Sequence, residues 1–215
     1  MSRTKAVFIG LAIVCALSGV MATSALASSP EWWVNGKVIS KEEKVTSHAT
    51  VIEPFFISSP KYSAKCKEVT IVNGVIRPGN TNNTIESLEF GLCEIVKQPQ
   101  CGLKGVKTVP LSFTLENPEK KPEANKINFV PKSGSTIAEF TITGSECPVA
   151  GKVAIKSGEK AGMVCNYPGV EVESLEHELN FGEKSGSELT IGGENVTFVG
   201  IDHFSLVSGN KWSVK

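Results

Sequence analysis

The chain has 215 residues, with 22 basic and 22 acidic side chains, a formal net charge of zero and 40% hydrophobic residues, a globular rather than disordered composition. Asp202 is the only aspartate, and Arg3 and Arg77 are the only arginines. Asp-rich calcium loops, Asp-based two-metal centres and Arg-lined clefts for phosphate or DNA therefore lack the residues they need.

Residues 1–27 read as a cleaved signal peptide. Arg3 and Lys5 precede an apolar run from Ala6 to about Ala22, and Ala25-Leu26-Ala27 is a small-x-small cleavage site before Ser28. The rival reading is a retained N-terminal anchor. Cys15 follows Val14, where a lipobox wants a small residue, so it reads as part of the apolar run. No second segment long enough to span a bilayer follows, so no membrane span is expected after cleavage. Cleavage removes two bases and no acids, leaving 20 bases against 22 acids, a net charge of −2. Such a surface offers no electrostatic footprint for nucleic acid.

Residues 28–215 read as an all-β domain. They contain 20 Val and 13 Ile against 9 Leu, and branched residues suit a pleated sheet better than a helix. In chain order, residues 65–76 and 84–95 form two strands around the turn Arg77-Pro78-Gly79-Asn80-Thr81-Asn82-Asn83. Val109, Leu111, Phe113 and Leu115 alternate with Pro110, Ser112 and Thr114. Residues 116–126 are polar, charged and Pro-containing, an exposed hairpin loop that splits the remainder into nearly equal halves. Leu175, His177, Leu179 and Phe181 then alternate with charged or polar neighbours. Leu189 and Ile191 turn at Gly192-Gly193 and return through Val196 and Phe198. A last hairpin turns at Gly209-Asn210 before Trp212. Short strands with frequent turns and no helical crossover predict an antiparallel β-sandwich, as one unit or as two stacked β subdomains.

An exported chain is expected to oxidise its cysteines. A hairpin centred between Gly79 and Asn80 places Cys66 opposite Cys93. Cys147 and Cys165 flank a predicted turn at residues 156–160, which pairs them and leaves Cys101 as the free thiol. The competing bridge is Cys93–Cys101, closing the Gln98-Pro99-Gln100 loop. The absence of CxxC and the presence of only three histidines speak against zinc.

The run Phe129-Val130-Pro131-Lys132-Ser133-Gly134-Ser135-Thr136-Ile137-Ala138-Glu139-Phe140, continuing to Cys147-Pro148-Val149-Ala150-Gly151, is distinctive. So are Val172 to Phe181, the Trp-rich start and the ending Leu206 to Trp212. Together they resemble a group of uncharacterised secreted β-rich proteins of actinobacteria. The resemblance implies export, a β-rich fold and a bacterial source. It brings no activity, cofactor or catalytic residue.

Reactive constellations are sparse. Ser157-Gly158-Glu159-Lys160 and Ser208-Gly209-Asn210-Lys211 match S-x-x-K, yet both fall in predicted turns without companion motifs. His177, on an apolar face, reads as a half-buried histidine bonded to backbone. His203 follows Asp202, but a working dyad would need a third group that no spacing supplies. No glutamate pair is singled out for glycoside hydrolysis. Trp32 and Trp33 point to opposite faces of a strand, and the terminal strands are expected to pair and bury two of the three indoles as a clasp. An exposed Trp32, Trp33 or Trp212 would suit sugar stacking or a protein partner. Residues 31–40 could alternatively add to a neighbour's sheet. The expectation is a secreted or cell-surface protein that binds or scaffolds, without cofactor or metal. The alternatives are a secreted hydrolase of glycans or esters, tested at His177, and a glycan-binding module built on an exposed tryptophan.

Overall fold

The computed structural model describes residues 30–48, 54–80, 82–117, 125–158, 162–167, 172–182 and 187–215. The expected signal peptide and residues 118–124 of the charged loop lie outside them. Strands β1 (Trp32–Val34) and β2 (Lys37–Val38) form an opening hairpin. Between them Asn35 and Gly36 have φ of 49° and 75°, the paired left-handed conformation that an Asn-Gly hairpin turn requires.

Eight staves follow, each built from two strands laid end to end. The first is β3 (Glu43–His48) with β4 (Phe55–Ser58), and the second β5 (Ser63–Val72) with β6 (Gly74–Ile76). The third is β7 (Asn83–Ile85) with β8 (Ser87–Ile95), and the fourth β9 (Gly102–Thr108) with β10 (Leu111–Glu116). The fifth joins β11 (Lys126–Pro131) to β12 (Thr136–Thr143), and the sixth β13 (Gly151–Ser157) to β14 (Met163–Asn166). The seventh comprises β15 (Glu176–Phe181) and β16 (Leu189–Ile191), and the eighth β17 (Glu194–Asn195) and β18 (Thr197–Leu206). Strand β19 (Trp212–Val214) comes last.

Every stave pairs antiparallel with the next, and β18 returns to β3 and β4, closing the ring. The expected sandwich is thus corrected to a closed up-and-down barrel of eight staves, whose order in space is their order in sequence. Alternation of apolar and polar residues is common to both architectures. What separates them is the contact between the eighth stave and the first, two segments far apart in the chain. The near-equal halves on either side of the charged loop share this one ring, through β10·β11 and β18·β3. Glu116 pairs with Lys126 at the last described rung of that hairpin.

Alternation sends apolar side chains inward. On β18, Phe198, Gly200, Asp202, Phe204 and Leu206 are buried, while Val199, His203 and Ser205 face outward. The outer face carries such residues as Lys65, Lys107 and Glu139. Apolar inside and charged outside is the inverse of a transmembrane barrel. Among the described residues no helix is long and apolar enough to cross a bilayer.

The interior is filled by a column of aromatic rings. Phe90 and Phe198 meet at 5.7 Å, Phe198 and Phe55 at 5.3 Å, Phe55 and Phe181 at 5.6 Å, and Phe181 and Phe129 at 6.2 Å. Phe129 touches Phe113, which meets Trp32 edge-on at 6.3 Å. The Phe55 ring fits only because residue 200 is glycine. A Cβ there would lie 2.5 Å from the ring. Large and small residues opposite each other are how a narrow barrel fills its taper.

One end of the barrel is sealed by the sheet β19-β1-β2, in register Trp32↔Val214 and Val34↔Trp212. The backbones of Glu31 and Lys215 exchange hydrogen bonds beyond it. Trp32 and Trp212, 1% and 0% exposed, enter the barrel mouth and stack around Phe204. The expected clasp of terminal strands is present. Residues 32–34 pair within their own chain, with β19 on one side and β2 on the other.

At the opposite end a disulfide joins the turn before β9 to the turn after β12, through Cys101 and Cys147. Cys66 bonds Cys93 across β5 and β8, in the register the sequence predicts. The expected Cys147–Cys165 pair is corrected: Cys165 is the free, buried thiol and Cys101 is bonded. Lys156 and Ser157 of the predicted turn belong to β13, and its residues 159–160 lie outside the described residues. Strands β13 and β14 belong to one stave, so Cys147 sits at its disulfide-clamped end and Cys165 beyond its midpoint. The alternative Cys93–Cys101 bridge is excluded because each of the two is bonded elsewhere.

Candidate functional site

The outer wall over β8, β9, β12 and β13 carries an open groove of about 690 Å³. That is the size of cavity that takes a small-molecule or oligopeptide ligand. Its walls follow from sheet alternation: the residues between the inward-facing Val106, Phe140 and Val153 point outward. One row crosses the strands as Glu89, Lys107 and Glu139, each the register neighbour of the next. The adjacent row runs Lys104, Thr141 and Lys152. Successive members of a row stand about 4.8 Å apart and the two rows about 6.6 Å apart, from strand spacing and rise. Glu86 extends the acidic side.

The groove coincides with an irregular seam. Among the described residues β8 and β9 share one register pair, Glu89 with Lys107, whereas β5 and β8 share eight. Leu92 on β8 and Gly105 on β9 both have left-handed φ, 48° and 67°. That conformation is costly for leucine. The Leu88 N–H turns to the Thr108 hydroxyl at 2.8 Å instead of a backbone carbonyl. On the other flank of β9 the register with β12 slips between Glu139 and Thr141. Bulges and register slips of this kind re-aim side chains at functional surfaces.

The groove charges are exposed and not consumed by each other. Among the described residues, Glu89, Lys104, Lys107, Glu139 and Lys152 take part in no ion pair. The Cys101–Cys147 bridge ties the start of β9 to the turn after β12, which holds two of the four groove strands in fixed relation.

No protein-family model, curated protein or solved structure matches this chain. Function must be read from the side chains alone.

The sequence-predicted residues lie elsewhere. Trp32 and Trp212 are sealed in the barrel mouth, so neither offers the exposed indole that sugar stacking or a protein partner would need. Trp33 points to the opposite side of β1, and the Lys215 ammonium covers its ring at 4.6 Å. His177 is buried, with Nε2 2.8 Å from the Trp212 carbonyl and its ring edge-on to the Trp212 indole at 4.3 Å. It is the backbone-bonded histidine that strand alternation predicts. Leu175, expected on the same apolar face, is instead 56% exposed, because β15 begins only at Glu176.

Asp202 and His203 do not form a dyad through their side chains. The aspartate points into the barrel, and the His203 ring points out to Glu176, 2.9 Å from Nδ1 to Oε1. The contact between the neighbours runs from the His203 backbone N–H to Asp202 Oδ1, 3.0 Å. Burial pushes the Asp202 carboxyl up to about 7, with the Glu176 charge adding to the rise. The Ser47 hydroxyl and the His203 N–H pull the other way. Burial also drives the Cys165 thiol far above its ordinary range, and the Asp202 charge adds to that shift. A thiol held protonated in an apolar interior is a poor nucleophile. Among the described residues no group of three His, Cys, Asp or Glu side chains gathers as a metal-ligand set.

The groove itself was missed in the sequence. Its lysines and glutamates look like any solvated strand face, and the pairing that lines them up is long-range. The weak signals present were Gly91 and Gly105, interruptions in otherwise regular strands.

Proposed function

We propose that the chain is an exported, non-enzymatic binding protein whose ligand lies in the groove over β8, β9, β12 and β13. The observation that carries this reading is a groove whose exposed charges Glu89, Lys104, Lys107, Glu139 and Lys152 make no ion pair among the described residues, on a wall clamped by a disulfide. Sites built on strands hold their backbone geometry better than sites on free loops, because less freedom is lost on binding. The residues with the greatest chemical reactivity support binding over turnover. His177 is engaged with the Trp212 carbonyl, and the Asp202 and Cys165 side chains face the barrel core. Export rests on residues 1–27, and the two disulfides accord with an oxidising compartment. The same residues, with the resemblance to secreted actinobacterial proteins, support a place outside the cell or on its surface.

The test is a nuclear magnetic resonance titration of labelled protein with cell-wall glycan fragments and with short peptides. Shift changes confined to Lys104–Thr108 and Glu139–Thr141, abolished in Ala154→Trp, are the expected result. Ala154 lies at the groove floor beside Glu139, so an indole there fills the space. Turnover of any added compound, or shifts gathered at the Trp32–Trp212 end, would overturn the proposal.

A further inference from the structure

From the charge layout of the groove we infer that its ligand is an extended peptide segment carrying basic groups along one edge and acidic groups along the other. The inference rests on the binding role proposed above and specifies its ligand class.

The layout is asymmetric. Glu86, Glu89 and Glu139 make one lip acidic, with Lys107 set between the last two, while Lys104 and Lys152 make the other lip basic. A uniformly charged ligand gains at one lip and is repelled at the other, with two strand positions separating them. A polyanion such as nucleic acid meets three carboxylates, and a polycation meets three ammonium groups. A ligand with opposite charges on its two edges satisfies both lips at once. An extended peptide has this property by construction, because successive side chains leave opposite sides of the backbone.

A neutral glycan is disfavoured for a different reason. Sugar rings are held by exposed aromatic faces, and the aromatic side chain bordering the groove, Phe140, is buried at 4% exposure with its ring in the core. Thr141, between Lys104 and Lys152, supplies a hydroxyl that can donate to a carboxylate on the basic side. The left-handed Gly105, with nothing within 4 Å of the position a Cβ would take, leaves room for a backbone to pass over β9.

The experiment measures fluorescence anisotropy of four labelled probes with the folded, oxidised chain: a peptide of alternating lysine and glutamate, oligolysine, oligoglutamate and a chitooligosaccharide. The alternating peptide is expected to bind, and its affinity to fall steeply with added salt. Two double variants test the lips separately. Glu89→Lys with Glu139→Lys, and Lys104→Glu with Lys152→Glu, are each expected to weaken it at least tenfold, with the circular dichroism spectrum unchanged. If either homopolymer binds as tightly as the alternating peptide, the inference fails. If the oligosaccharide alone binds and Ala154→Trp blocks it, the binding role survives and the peptide assignment falls. If no probe binds and no titrant moves the groove resonances, both fall together.

Discussion

The Trp-sealed mouth and the charged groove are built on the same eight staves by opposite rules. At the mouth, every large side chain is buried against another ring, and even the histidine there is spent on a backbone carbonyl. In the groove, five charged side chains stand on exposed positions and, among the described residues, make no ion pair. The difference separates what holds the fold from what is available to a second molecule. The residues that look most functional by type, tryptophan and histidine, do structural work. The ones that look like solubilising surface line the groove proposed as the binding site.

Variants should sort by which of these regions they touch. Trp212→Ala removes the indole that Trp32, Tyr167, His177 and Phe204 all contact, and takes out a large core side chain. Its expected cost is about 3–5 kcal/mol, read as a drop in urea midpoint at unchanged slope. Equal stability of variant and parent would break the view of this end as the structural seal.

Asp202→Asn tests the buried charge. Its folded-state carboxyl titrates near 7 against an ordinary 3.8, so between those values the folded protein keeps a proton that the unfolded chain has released. Stability therefore falls as pH rises from about 4 to about 7 and is level beyond, by something on the order of 4 kcal/mol. The asparagine variant should lose that slope and exceed the parent at pH 8, measured by denaturant unfolding across the range. A parent whose stability rises with pH over this interval would refute a protonated Asp202 in the core.

A smaller effect is expected from Gly200→Ala. The added methyl meets the Phe55 ring, and overpacking of this kind costs about 1–3 kcal/mol, visible as a lower thermal midpoint. Lys107→Glu marks the other extreme. It should change stability by no more than about 0.5 kcal/mol, while altering every binding measurement made in the groove. A Lys107→Glu variant that unfolds readily would move the groove into the structural class and erase the contrast.

Much of the fold can be read from local pattern. The stretch Leu111-Phe113-Leu115 alternates because one face of β10 meets the core, and all three are buried. The hairpin around Pro78 has its symmetry fixed by flanking strands of matching length, which is why Cys66 and Cys93 could be paired. The Asn35-Gly36 turn is equally readable, since Asn-Gly is the dipeptide such a hairpin turn favours. Closure of the ring is not, because β18 meets β3 through residues whose own sequences carry no record of the partner. Cys165 is illegible for a related reason: Lys156-Ser157 has turn-like composition, yet both residues belong to β13, and β14 places the thiol in the interior. The groove was least legible of all. Glu89, Lys107 and Glu139 lie on three different strands, and only the register makes them a row.

The exchange of backbone hydrogen bonds between Glu31 and Lys215 also has a bearing on how the molecule comes into being. The plug joins segments from opposite ends of the described chain, and contacts that close so long a loop form late and slowly. Until Trp212 arrives, the mouth stays open and His177 lacks its acceptor. Without the docked last strand, the rings of Phe204 and Trp32 at the mouth would lose the Trp212 indole that covers them. Only when the last strand docks does the vessel become a solid.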